Sequence, residues 1–283
     1  MCDHFVSVII PTYNRAALVR EAIDSVLSQT YRPFELIVVD DGSTDATGGI
    51  LSQYGRAITV ITAVHSGPSA ARNRGIRACR GDFIAFLDSD DIWLPDKLKR
   101  QMDFFRDNRD CRVCQTREVW IRNGRRVNPR KKHRMYSGWI FEKCLPLCIV
   151  SPSSVIMHRC VLEDVGLFDE SMPACEDYDL WLRIAPRYPI HLIDEELIVK
   201  RGGHADQQSR TVPALDRLRI QSLCKALESG RLHASHYAAA RGELERKCRI
   251  YGNGCLKRGR HSEGAYYLNL AANYPRRPEE TEP

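Results

Sequence analysis

The chain has 283 residues, 43% hydrophobic and 28% charged, with a formal net charge of +6. These values are typical of a globular protein with one large domain, with or without a small appendage. No apolar run approaches the length of about eighteen residues that a membrane span needs, and no basic segment precedes an apolar core at the N-terminus. Eleven cysteines without a secretory signal favour reduced thiols and a cytoplasmic location.

The first hundred residues alternate between two apolar patterns. β-branched runs that are apolar on both faces predict buried parallel strands, and apolar residues at helical spacing lie between them. Strands are expected at 5–10, 34–39, 58–61 and 83–87, and helices at 18–27, 43–54 and 69–78. This alternation predicts an α/β fold whose mostly parallel sheet is flanked by helices.

Polar side chains follow three of these strands. Tyr13 and Asn14 follow the first strand, Asp40 and Asp41 the second, and 88–91 the fourth. Ligands of open α/β sheets bind at this edge, so these groups are expected to form one site. Three crowded carboxylates within 88–91 repel one another, and a hard cation that bridges a diphosphate would relieve them. The pattern therefore points to an enzyme acting on nucleotide-activated substrates.

The second half is less regular. We expect strands at 113–121 and 150–158, a turn at 166–170, and a helix at 175–184 whose first turn carries Glu176 and Asp177. From about residue 213 only helical patterns remain: 215–218, 223–227, 237–244, and a hairpin of 248–256 with 262–272. The hairpin faintly resembles one tetratricopeptide-type unit, which would pack on the main domain or on a partner.

Five segments in this order resemble a family 2 glycosyltransferase with the GT-A fold, which has a Rossmann-type sheet. The resemblance is close over about 5–105 and looser to about 210. The matching segments are 6–14, 38–45, 69–75, 86–91 and Glu176-Asp177. It implies a glycosyltransferase domain at 1–212, with a nucleotide-binding half at 1–105 and an acceptor half at 106–212. A helical C-terminal region with a disordered tail would occupy 213–283.

The resemblance also assigns expected roles to single residues. Pro11, Tyr13 and Asp41 would surround the nucleobase, with Asp41 accepting from a ring N–H. Arg72 would help to hold the nucleotide. Asp90 would ligate Mn²⁺ or Mg²⁺, and Asp88 would contact the ribose or the metal. The resemblance thus assigns six residues to the donor site: Pro11, Tyr13, Asp41, Arg72, Asp88 and Asp90.

The resemblance makes Asp177 the catalytic base, with Glu176 beside it. A base opposite the leaving diphosphate implies one in-line displacement and inversion at the anomeric carbon. His204, after two glycines, is either a lid residue and third metal ligand or part of an ordinary surface loop. Because the chain lacks transmembrane helices and a Gln-x-x-Arg-Trp motif, non-processive transfer is expected.

The implied partners are a nucleotide-sugar donor, with uridine the favoured base, and a glycan or lipid-linked glycan acceptor in cell-surface or exopolysaccharide assembly. The basic segment 125–134 is either a solvated loop or a surface that meets the inner face of a membrane or a phosphate-bearing acceptor. No aromatic platform interleaves its charges, so nucleic acid is not expected.

Three alternatives remain open. An inactive sugar-nucleotide-binding or scaffold protein would retain the fold without turnover. A nucleotidyltransferase is disfavoured because 11–14 takes the place of a glycine-rich phosphate loop. A structural zinc site could use four thiolates, from Cys111, Cys114, Cys144 and Cys148, although buried free thiols are the commoner outcome.

Overall fold

A computed structural model describes residues 4–128, 131–203 and 212–275. One nine-stranded sheet carries helices on both faces. The strands are β1 Val6–Thr12, β2 Phe34–Asp40, β3 Thr59–Thr62, β4 Phe83–Phe86, β5 Ile92–Trp93, β6 Val113–Arg122, β7 Arg125–Val127, β8 Ile156–His158 and β9 Ile190–Gly202. The helices are α1 Val19–Leu27, α2 Thr47–Ser52, α3 Pro68–Ala78, α4 Lys97–Asp107, α5 Phe141–Cys144, α6 Arg159–Val165, α7 Glu176–Ile184, α8 Leu215–Glu228, α9 Ala234–Lys257 and α10 His261–Leu270.

The sheet has a parallel half and a mixed half. Its order is β3-β2-β1-β4-β8-β6-β9-β5, with β7 added to β6. Strands β1 to β4 pair in parallel, so their carboxyl ends meet at one edge. Strand β8 joins β4 antiparallel, and the long pair β6 and β9 runs parallel beyond it. This architecture confirms the predicted α/β class.

Strand β1 contributes to the apolar core on both faces of the sheet, since all seven of its residues are buried. Val8 and Ile10 pack on the face that carries α1, whereas Ile9 packs on the face that carries α3. The alternation follows from the two-residue period of a strand. Gly75 lets α3 approach closely, because a Cβ there would lie 2.5 Å from Cγ2 of Ile9.

Several secondary-structure predictions need correction, among them the two helices at 215–218 and 223–227, which are the single helix α8. Strand β9 was not predicted, because acidic residues 194–196 interrupt its apolar pattern. The predicted strand at 150–158 shortens to β8, because Pro152–Ser154 form a 3-10 turn. The predicted segments 237–244 and 248–256 are one continuous helix, α9, since the charged residues between them lie on the same helix.

The C-terminal helices pack on helices of the main domain, chiefly α7 and α5. Leu223 of α8 lies in the same apolar cluster as Trp181 of α7. The ammonium of Lys225 donates to Asp179 at 2.6 Å and to Asp169 at 2.7 Å, which ties α8 to α7. The expected tail, 276–283, lies outside the described residues. Within the described ranges no helix has both the length and the apolar character to cross a bilayer.

Lys97, at the start of α4, is a fully buried lysine. Its ammonium donates to Oε1 of Gln101 at 2.6 Å and lies 3.8 Å from the ring centroid of Trp93. No carboxylate of the described chain forms an ion pair with it. Burial lowers the pKa of Lys97 from 10.5 to about 7, against a small opposing effect of Cys114.

This lysine should make stability depend on pH. Between its folded and unfolded pKa values the unfolded chain holds a proton that the folded protein lacks, so stability rises with pH there. The limit is about 1.4 kcal/mol per pH unit. We expect Lys97→Met to remove this rise, measured as the free energy of unfolding in urea at about pH 7 and about pH 8.5.

Lys99→Met is the matched control, because Lys99 lies on the same helix, half exposed, and pairs with Asp103. The control should keep the pH dependence of the original protein. An unchanged dependence in Lys97→Met would show that Lys97 is charged in the folded state.

Candidate functional site

A cleft with a volume of about 1030 Å³ lies at the carboxyl ends of β1, β2 and β4. A cleft of this size suits a nucleotide-sized ligand. Its walls contain six of the predicted site residues, namely Pro11, Tyr13, Asp41, Arg72, Asp88 and Asp90. The parallel half of the sheet therefore brings these residues together, as the sequence predicted for that edge. We call this space the larger cleft.

Asp41 organises one end of the larger cleft. Its buried carboxylate accepts from the backbone N–H groups of Ser66 and Gly67, the latter at 2.8 Å. It also pairs with the Nδ1 of His65 at 2.8 Å and with Arg74 at 3.2 Å. The chain can turn here because Gly42 has φ +81°, and a Cβ on it would lie 2.9 Å from the backbone N of His65.

Tyr13 presents an aromatic face in the same part of the cleft. Its ring stacks on the ring of His65, with centroids 3.9 Å apart and planes inclined by 19°. The Tyr13 side chain is partly exposed, so the pair forms a platform at the cleft wall. The sequence carries no signal that His65 belongs to the site, and its proximity to Tyr13 and Asp41 is a finding of the structure.

Arg72 joins the two acidic motifs. Its buried guanidinium donates to Asp88 at 2.7 Å and to Glu176 at 2.7 Å. Burial by itself lowers the pKa of Arg72, but the carboxylates of Asp88 and Glu176 outweigh burial and raise it. Glu176 is likewise buried, and burial raises the pKa of its carboxyl despite the opposing effect of Arg72. Arg72 thus links the end of β4 to the start of α7.

The carboxylates of 88–91 differ in their partners. Asp91 is buried and accepts from Ser153 at 2.7 Å and from the backbone N–H of Arg201 at 3.0 Å, so it holds β9 to the turn at 152–154. Burial and the neighbouring carboxylates raise the pKa of Asp91 to about 8, although Lys200 opposes them. Burial and Asp88 also raise the pKa of Asp90.

These carboxylates fit a hard divalent cation. Burial and mutual repulsion destabilise the charged form of Asp90, and a cation beside it would remove that cost. Oxygen ligands are what Mn²⁺ and Mg²⁺ prefer. Among the described residues, no three His, Cys, Asp or Glu side chains converge as a ligand set. Asp88 and Asp90 would therefore need further oxygens from a bound ligand. His204 lies outside the described residues.

Asp177 lines a second cavity, of about 690 Å³, rather than the larger cleft. Its carboxylate accepts from the thiol of Cys148 at 3.2 Å and from the backbone N–H of Tyr178 at 2.7 Å. Position 177 lies in the first turn of α7, where the helix dipole favours a negative charge. Glu176 points into neither space and faces Arg72 instead.

Lys200 lies where the two spaces meet, because it lines both of them. Its ammonium donates to Ser151 at 2.8 Å. Burial alone lowers the pKa of Lys200, but Glu118, Asp91, Asp88 and Asp177 together raise it. Sequence reasoning missed Lys200, because β9 was not predicted and a single lysine in a mixed segment carries no local signal.

The alternative of a structural zinc site is not supported, because its four cysteines do not converge. Cys114 packs in the apolar cluster that contains α1, whereas Cys144 packs in the cluster on the opposite face of the sheet. Cys148 contacts Asp177 instead. Burial raises the pKa of Cys114 and of Cys144, so both thiols are held protonated.

Two solved structures resemble this chain over most of its length. The chain resembles the crystal structure of S. aureus TarS 1-349 in complex with UDP-GlcNAc, with a TM-score of 0.70, 21% identity, and coverage of 94% of this chain and 79% of that one. It also resembles the mannosyltransferase PcManGT of Pyrobaculum calidifontis, solved with GDP-Man and Mn²⁺, with a TM-score of 0.63 and 20% identity over 95% and 86% of the two chains. The fold is the GT-A fold.

The family model "Glycosyl transferase family 2" matches residues 7–166. The chain therefore belongs to glycosyltransferase family 2. It is 34% identical to the E. coli protein WfgD, a UDP-Glc:alpha-D-GlcNAc-diphosphoundecaprenol beta-1,3-glucosyltransferase, over 65% of this chain and 71% of that protein. An uncharacterized glycosyltransferase of Rickettsia conorii is 34% identical over 73% of this chain. The chain spans only about 35% of the length of that relative.

Removing the buried cation of Arg72 should be costly, because two carboxylates would be left without their partner. We expect Arg72→Met to lower the free energy of unfolding by about 3–5 kcal/mol. Arg77→Met, on the same helix, removes an exposed pair with Glu170 and should cost less than about 1 kcal/mol. The free energy of unfolding of both variants is measured in urea and compared with that of the original chain. Equal losses would show that the link from Arg72 to Asp88 and Glu176 is not a stabilising contact.

Proposed function

We propose that this chain is an inverting, metal-dependent glycosyltransferase that moves a sugar from a nucleotide-diphosphate sugar to a hydroxyl acceptor. One observation carries the proposal: the cleft with Asp88 and Asp90 meets the cavity with Asp177 at Lys200. A donor in the first space and an acceptor in the second would meet at that junction. Family membership supports the same reaction class.

The donor would occupy the larger cleft with its nucleobase near Tyr13 and Asp41. Tyr13 offers a ring face for stacking, and Pro11 lines the same wall. The carboxylate of Asp41 already pairs with His65 and orders the loop at 65–67. The same carboxylate would accept a hydrogen bond from a ring N–H of the base. Uridine is the proposed base, supported by the fold shared with a protein solved with UDP-GlcNAc. Arg72 acts on the nucleotide through Asp88, which it orients.

Asp90 and Asp88 would hold Mn²⁺ or Mg²⁺ beside the diphosphate. A bound cation supplies Lewis-acid stabilisation for the negative charge of the leaving diphosphate. Lys200 adds a fixed positive charge from β9, since it faces Asp88 and Asp91. A third ligand from His204 stays a prediction.

Asp177 would take the proton from the acceptor hydroxyl. The thiol of Cys148 and the N–H of Tyr178 hold its two oxygens, which fixes the orientation of the carboxylate. An acceptor hydroxyl that Asp177 deprotonates in the second cavity would attack the anomeric carbon from the side opposite the larger cleft, which implies inversion. Glu176 does not reach the second cavity, and its proposed part is to position the start of α7 through Arg72.

The acceptor is proposed to be a glycan or a lipid-linked glycan in cell-surface or exopolysaccharide assembly. Sequence similarity to WfgD supports this class. A cytoplasmic location at the inner face of a membrane would suit such an acceptor, with 125–134 as the contact. The proposed division into a transferase domain, 1–212, and a helical region, 213–283, is consistent with the first residue of α8, Leu215.

Asp177→Asn tests the base. The change keeps the shape and removes the proton acceptor, so we expect normal affinity for UDP and loss of transfer by a factor of at least about a hundred. Binding is measured by calorimetry and transfer by product formation from a UDP-sugar. Asp107→Asn, at the exposed end of α4, is the control. Normal transfer by Asp177→Asn would exclude Asp177 as the base.

Asp90→Ala tests the metal site. We expect binding of UDP in Mn²⁺ to fall to the level measured in EDTA, because the cation loses its principal ligand. Calorimetry with UDP, dTDP, GDP and CDP identifies the nucleotide in the same experiment. Metal dependence that persists in Asp90→Ala would contradict the assignment. Binding without turnover of any sugar nucleotide would favour the inactive binding protein.

A further inference from the structure

A third cavity, of about 610 Å³, lies between the C-terminal helices and the segment 131–149. Four elements of the chain contribute cations to it. The turn at Lys131–His133 and α5 form one side, and α8 and α9 form the other. We call this space the basic cavity, defined by Lys131, Lys132, Lys143, Arg219, Arg246 and Lys247.

The basic cavity carries an excess of positive charge. Only two carboxylates, Glu142 and Asp216, lie in its described walls. Arg219 pairs with Asp216 at 3.0 Å, while Arg246 and Lys247 share Glu243 at 2.6 and 3.3 Å. The remaining three lysines, Lys131, Lys132 and Lys143, form no ion pair within the described part of the chain. Their charges are available to an anionic ligand.

The basic cavity adjoins the cavity that contains Asp177. Leu147, Ile149 and Arg219 belong to the walls of both. An acceptor whose hydroxyl lies near Asp177 can therefore extend its other end among the lysines. The Nε of Arg219 is buried and has no hydrogen-bond partner among the described residues, which leaves a donor at this junction.

We propose that the basic cavity binds a phosphate ester carried by the acceptor. The proposal rests on the proposed function, since it assigns the acceptor to the second cavity. Cations that converge from four elements on a concave space match a discrete phosphate, whereas a flat anionic membrane would meet a convex surface. Ile250, about half exposed in the same cavity, adds an apolar contact beside the charges. The phosphate belongs to either a lipid-linked glycan or a water-soluble one.

Two probes separate these sources: inorganic phosphate and farnesyl phosphate. Both are titrated into the full chain in the presence of saturating UDP and Mg²⁺, so that the larger cleft is occupied. We expect both probes to bind. A much higher affinity for farnesyl phosphate identifies a lipid-linked acceptor, and similar affinities identify a phosphate on a water-soluble glycan.

The double variant Lys132→Gln/Lys143→Gln should lower the affinity for both probes by at least about tenfold, because each lost cation removes a charge-assisted contact. Lys99→Gln/Lys257→Gln makes the same change in net charge away from the cavity, on α4 and at the end of α9, and should bind as the original chain does.

Equal affinities in the two double variants, or no binding of either probe to the original chain, would overturn the proposal. UDP affinity is measured on every variant and should not change. If UDP fails to bind while farnesyl phosphate binds, the proposed transferase function fails and the phosphate site stands. If UDP binds and neither probe does, only the phosphate site fails.

Discussion

The buried guanidinium of Arg72 is the constraint on which the rest of the site depends. A guanidinium stays protonated when it is buried, so opposite charges must compensate it, and here those charges come from β4 through Asp88 and from α7 through Glu176. The two acidic motifs are therefore parts of one electrostatic unit. Because Asp88 and Glu176 are fixed by the same group, the end of the sheet and the start of α7 cannot move independently without breaking a buried ion pair.

The C-terminal helices continue this arrangement. Lys225 of α8 pairs with the buried Asp179, which lies in the same first turn of α7 as Glu176 and Asp177. Helix α7 is thus held by Arg72 on one side and by α8 on the other. The same helices supply three cations to the basic cavity, Arg219, Arg246 and Lys247. The C-terminal helices therefore both hold α7 in place and form one side of the basic cavity.

Much of the fold and part of the site could be predicted from local patterns. The strands that end before Tyr13, Asp41 and Asp88 were recognisable because a buried parallel strand is apolar on both faces. Strand β9 was not, because it mixes buried Leu197 and Ile198 with exposed acidic residues. Lys200 was missed with it. Its role at the junction depends on the parallel pairing of β9 with β6, which no local pattern specifies.

The sequence by itself determined the class of fold, the family resemblance, and the polar residues at the ends of the parallel strands, because periodicity and chain order are local properties. Only the tertiary structure decided which charges meet. Arg72 and Glu176 are separated by 104 positions, yet they form one buried ion pair. The separation of Asp177 from the larger cleft, the junction at Lys200 and the basic cavity likewise arise from contacts between distant segments. Such contacts follow from the packing of whole elements, so the residues that make them carry no signal in their immediate neighbours.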